Sequence, residues 1–213
     1  RHANRMIDSM SALHVAAIVS RGDIARCLCE RSAEVNFAKT DGAAPCETAA
    51  FWGHVEVLRV LRDAGGDLSM RNVEGGGPLQ AAANQGHFAV VSFLCEQRLD
   101  PDQVTADGST PLMGAAAAGH AEVAWVLLSA RADVRAAKRN GTSSLHIAAW
   151  AGHAVVTALL CELGAPCSRR TQSGSRPLDL AEAMGHGEVA RVLRRAIAGH
   201  QHDGYLWVQD GWS

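Results

Sequence analysis

One interval governs this chain. Leu13, Cys46, Leu79, Leu112, Leu145 and Leu178 follow one another every 33 residues. Gly53, Gly86, Gly119, Gly152 and Gly185 keep the same spacing, with Ser20 in that place in the first copy. A fixed period sustained over six copies calls for a stacked array, in which each unit touches only its neighbours.

Val104 to Ala136 shows the unit at its clearest. Asp107-Gly108 is a tight-turn dipeptide, because glycine accepts positive backbone angles without steric cost. Thr110 suits an N-cap, and Pro111 suits the first helical position, where no amide bond is lost. An alanine-rich helix then runs to Gly119, and Glu122 to Ala130 makes a second helix. Helices this short are marginal alone, so neighbouring copies must supply the packing.

The pattern D-G-x-T-P-L-x-x-A-A-x-x-G-H-x-E-V-x-x-x-L-L closely resembles the ankyrin repeat, over roughly residues 6–198. The resemblance implies an all-α solenoid of stacked helix-turn-helix units with β-hairpin fingers. It places an array of about six repeats in residues 1–199, leaving an aromatic tail at 200–213. It also implies a non-enzymatic module that grips one or more proteins with its finger tips and inner helices, along a concave face. The alternative is a constitutive subunit of a larger complex, docked through its ends.

Composition narrows the rest. A net charge of −2 gives no general reason to expect nucleic acid. The longest apolar run, Ala115 to Ala130, is broken by His120 and Glu122, so no membrane insertion is expected. Cys29, Cys95 and Cys161 share one repeat position; with layers about 8–10 Å apart they lie beyond disulfide or zinc reach. With Cys46 and Cys27 they read as small buried hydrophobes in an intracellular, reducing compartment: cytoplasm or nucleus first, an organelle also open. His54, His87, His120, His153 and His186 share a repeat position, as do His14 and His146. They read as structural hydrogen-bonding residues, with no metal and no cofactor. No nucleophile elbow, phosphate-cradling loop or zinc spacing appears, so no catalytic residue is assigned.

Departures from the period carry the site. Aligning the repeats with the family puts Ile18-Val19, Phe51-Trp52, Asn84-Gln85, Ala117-Ala118, Trp150-Ala151 and Ala183-Met184 on the exposed side of the first helices. Tryptophan is enriched among binding hot spots. Phe51 and Trp52 therefore read, with Ile18 and Val19, as one contact patch, and Trp150 with Met184 as a second. These patches stand three layers apart, about 24–30 Å, as two anchors and not one pocket; the bland alternative is that the rings lie flat on neighbouring helices. Finger tips carry Asp41, Glu74 and Asp107 early, then Lys138, Arg139, Arg169, Arg170 and Arg176. That polarity would orient a bound segment, unless it is simply turn chemistry and solvated charge. Trp125 marks the outer face.

Both ends also depart. Ile18 and Val19 are apolar where a terminal repeat is usually polar, so either more chain precedes Arg1 or another surface covers this end. Arg191, Arg194 and Arg195 read as a polar cap on repeat six. The tail holds Tyr205, Trp207 and Trp212, and its alternation suits a short extended segment, either folded back over repeat six or docked on another chain. Ala44 stands at an N-cap, and Arg31, Arg98 and Arg131 replace the glycine that ends a second helix.

Overall fold

The computed structural model describes residues 10–206. Among the described residues twelve helices form six pairs. They are α1 (Ala12–Ile18) with α2 (Gly22–Glu30), α3 (Pro45–Phe51) with α4 (Val55–Asp63), and α5 (Pro78–Gln85) with α6 (Phe88–Glu96). Then come α7 (Pro111–Ala118) with α8 (Ala121–Ser129), α9 (Ser144–Ala151) with α10 (Ala154–Glu162), and α11 (Pro177–Ala183) with α12 (Gly187–Leu206). Odd-numbered helices stack on one another in chain order, and even-numbered helices form a second row beside them.

The core runs between these rows. Leu13, Leu79, Leu112 and Leu145 of the odd row are fully buried, and so are Leu61, Leu94, Leu127, Leu160 and Leu193 of the even row. Cys46 takes a leucine's place with no exposure, and burial pushes its thiol up to about 12, so it acts as a small apolar side chain. Burying each leucine contributes about 1.5–3 kcal/mol. Because every pair buries its apolar side against the next pair, the array is one continuous core.

Glycine and histidine lock the layers. Gly119 ends α7 in the left-handed region at φ 78°, and a Cβ there would stand 2.5 Å from the His153 ring of the next layer. That ring's Nε2 donates to the Ala117 carbonyl at 3.0 Å. His54, His87 and His186 make the same bond to Ile18, Phe51 and Trp150. His14 and His146 work differently. Nε2 of His14 donates to Ala43, and Nε2 of His146 to Arg169 and Ser175, so Nδ1 accepts from the backbone N–H of Ser11 or Ser143. Each ring thus ties a helix start to the following finger.

Several expectations need correction. The fingers are tight turns and not paired strands: each closes within five residues on two backbone bonds, such as Lys39 N–H to the Ala43 carbonyl and Gly42 N–H to that of Lys39. Five residues are too few for a ladder, and in the finger of repeat five Ala137 and Ser143 make an isolated antiparallel bridge. After α2 the left-handed residue is Ser32 at φ 61°, not Arg31, which has φ −93°. Arg98 and Arg131 do take positive φ, at 61° and 72°. Cys27 is exposed and Cys29 and Cys95 are half-buried, so only Cys46, Cys161 and Cys167 are buried thiols.

The tail also differs from an extended segment where it is described. α2, α4, α6, α8 and α10 each span nine residues, whereas α12 spans 20 and carries Tyr205 in its helical backbone. The cause is local. Shorter second helices are followed within two residues by Ser32, Gly65, Arg98, Arg131 or Gly164 at positive φ. One period after Gly164 stands Ile197, whose branched side chain excludes that conformation, and an already nucleated helix continues. Trp207 and Trp212 lie outside the described residues.

Candidate functional site

A groove of about 1430 Å³ runs along the finger side of the odd helices, from Glu47 in repeat two to Leu180 in repeat six. Two repeating positions build its floor. The first is the third helical residue, giving Glu47, Gln80, Met113 and His146; the second lies one turn later, giving Phe51, Asn84, Ala117 and Trp150. Residues four apart share a helix face, so each helix presents one such pair to the groove. Finger residues Asn72, Glu74, Asp107, Lys138 and Gln172 form the other wall.

This geometry sorts the residues singled out from the sequence. Phe51, Asn84 and Trp150 line the groove, with Phe51 43% and Trp150 55% exposed. Trp52, Gln85 and Met184 are exposed on the adjoining side but do not line it; Ile18 is half-buried and Val19 exposed beyond its first layer. The expected separation into two anchors therefore gives way to one groove shared by Phe51 and Trp150. Trp52 instead sits edge-on to Phe51, ring centroids 5.5 Å apart at 76°. Trp125 is 56% exposed on α8, in the other row of helices.

Finger charges are largely spent on the fingers themselves. Lys138 Nζ lies 2.6 Å from Asp107, and that bond, then those from Thr105 and Ser109, holds the Asp107 carboxyl well below its ordinary range. Lys39 pairs with Asp41 at 3.0 Å. Arg170 Nη1 donates to the Gly174 carbonyl and Arg169 Nη1 to that of Arg135, both at 2.6 Å. Arg176 pairs with Asp179 at 2.7 Å. Arg139 is exposed beside the groove, where Gln172 caps its carbonyl. The acid-to-base polarity is thus mostly turn chemistry.

Two groove residues escape a reading based on aromatics. Glu47 is 8% and Gln80 9% exposed. Glu47 Oε1 accepts from Asn72 Nδ2 at 2.6 Å, while Oε2 is buried with no hydrogen-bond partner. Gln80 Nε2 donates to Asn84 Oδ1 at 2.7 Å, and its Oε1 likewise lacks a partner. Burial pushes the Glu47 carboxyl up to about 7, against the bond from Asn72 and with Asp41 and Glu74 adding negative charge nearby. The signal was present in the sequence: Glu47 and Gln80 occupy the place of the motif histidines His14 and His146.

Residues 64–138 match the family model for ankyrin repeats, in three copies. That stretch of the chain consists of ankyrin repeats. Helix pairs on either side of the matched stretch continue its geometry at the same interval. Ankyrin repeats are generally protein–protein interaction modules and generally not enzymes. No curated protein matches this ankyrin chain. Among the described residues no helix is long and apolar enough to cross a membrane, and no three histidine, cysteine or acidic side chains are placed to hold a metal ion.

Proposed function

We propose that this ankyrin array binds an extended segment of a protein partner along the finger-side groove, without catalysis. One observation carries the reading: a groove of about 1430 Å³, continuous over five repeats, exposes Phe51 and Trp150 to solvent on its floor. Half-wet aromatic rings in a long channel suit a peptide-like ligand, since aromatic anchors dominate interface energy. Asn84 supplies polar contact between them; Arg139 and Arg170 lie at the finger tips beyond, and Trp52, Ile18, Val19, Gln85 and Met184 form the rim that a larger partner would reach. The buried thiols suit an intracellular, reducing compartment, cytoplasm or nucleus, and no nucleic acid is required.

A second reading has its own support. Trp125, 56% exposed in the outer row, is a large apolar side chain with no part in the groove. It favours a subunit of a larger complex held through α8, the first repeat and the segment carrying Tyr205, Trp207 and Trp212. The two readings separate by substitution. Phe51→Ala and Trp150→Ala, each still helical by circular dichroism, should each weaken partner capture about tenfold or more, while Trp125→Ala and removal of residues 205–213 leave it intact. The reverse pattern supports the subunit reading and contradicts the groove.

A further inference from the structure

The groove floor holds a buried carboxylate oxygen and a buried amide oxygen without donors, in adjacent layers. An unpartnered buried acceptor is costly to the fold, and more so when charged. It is also an acceptor ready for an incoming donor. Phe51 lies one turn after Glu47 on α3, and both line the groove, so a carboxylate and an aromatic ring stand on one helix face.

Charge around Glu47 favours a cation. Asp41 and Glu74 face it with negative charge, and Lys39, the positive group acting on it, is bonded to Asp41 at 3.0 Å. Further along the groove, Lys138 and Asp107 are paired with each other. Asn72, on the opposing finger, is neutral and already donates to the other Glu47 oxygen. An incoming group must therefore bring hydrogen-bond donors, positive charge and a flat apolar face.

We propose that Glu47 and Gln80 receive an arginine side chain of the bound partner segment, its guanidinium donating to Glu47 Oε2 and stacking on Phe51. Arginine carries five N–H donors and no acceptor, pairs strongly with carboxylates, and lies well on aromatic faces. Lysine offers the charge without the plane. This inference rests on the groove reading and gives it a chemical specificity: the segment is basic at the position that passes repeats two and three.

The test uses the full chain and a displayed library of random 12-residue peptides. Selected peptides are then measured by fluorescence anisotropy against wild type, Glu47→Gln and Trp150→Ala. Gln80 shows that glutamine fits this repeat position, so Glu47→Gln keeps the fold. Enriched peptides should share an arginine; replacing it with citrulline should weaken binding to wild type about 10- to 100-fold, and to Glu47→Gln about twofold or less. Peptides that bind in a Trp150-dependent manner but lack arginine, prefer lysine, or ignore Glu47→Gln overturn the arginine site alone. No enrichment, or binding indifferent to Trp150→Ala, overturns the groove reading and this inference with it.

Discussion

Glu47 is a carboxylic acid where other repeats put His14, Gln80, Met113, His146 or Asp179, and it should dominate one part of the pH dependence of stability. Its folded pKa is raised to about 7 by burial, above the ordinary 4.5. The folded state therefore holds this proton more tightly, and stability from it falls as pH rises from about 4.5 through 7. Glu47→Gln should stabilise the chain by about 1–3 kcal/mol at pH 8, with the difference closing by pH 4.5. Urea melts at both pH values check this; a difference that does not change with pH contradicts it. His14 and His146 act in the opposite sense. Burial lowers their proton affinity, so stability present above pH 6.5 is lost as they are forced to charge at lower pH. Arg98 and Arg131 are a separate matter, because their cost is in the backbone. At the equivalent Gly65 and Gly164 a Cβ would meet nothing within 4 Å, so a side chain fits there and only the positive φ is unfavourable. Arg98→Gly and Arg131→Gly should each raise stability by about 1 kcal/mol, read as higher urea midpoints; unchanged midpoints would refute the strain.

At the scale of elements, the helix pairs and their stacking were legible in the sequence because period, turn dipeptides, prolines and glycines all agree. Pro45, Pro78, Pro111 and Pro177 each open a helix where the interval puts them. Less legible was how each element ends. Ile197 governs the length of α12, but it is one residue, and the alternation of aromatic side chains beyond it masked the missing stop. The fingers deceived in another way: turn dipeptides specify a hairpin bend without specifying enough residues for a ladder. Layer contacts give the sharpest prediction here. Gly119→Ala would force a Cβ against the His153 ring and strain a left-handed φ, so it should cost more than about 1 kcal/mol. Calorimetry comparing it with Gly164→Ala, where the space is open, should show the larger loss at Gly119; equal losses would mean that backbone strain alone matters.

For the whole molecule, the sequence located the groove's aromatics but not its shape. Phe51 and Trp150 were visible as misfits in a period otherwise filled by small residues. Their sharing one groove was not visible, since that depends on how five layers of fingers and helices line up. The polar floor was legible only through the register, which sets Glu47 and Gln80 in the place of the motif histidines; as residue types they look like ordinary surface residues until burial removes their water. Finger charges, conversely, looked functional and turned out to be paired at home. Function in this array turns on a partner lying in the groove. The most direct measurement places a photo-crosslinking amino acid at Ala117, on the groove floor, or at Trp125, on the outer row, and compares partner capture on illumination. Crosslinks from position 117 and not from 125 are predicted. Crosslinks from 125 alone would contradict groove binding.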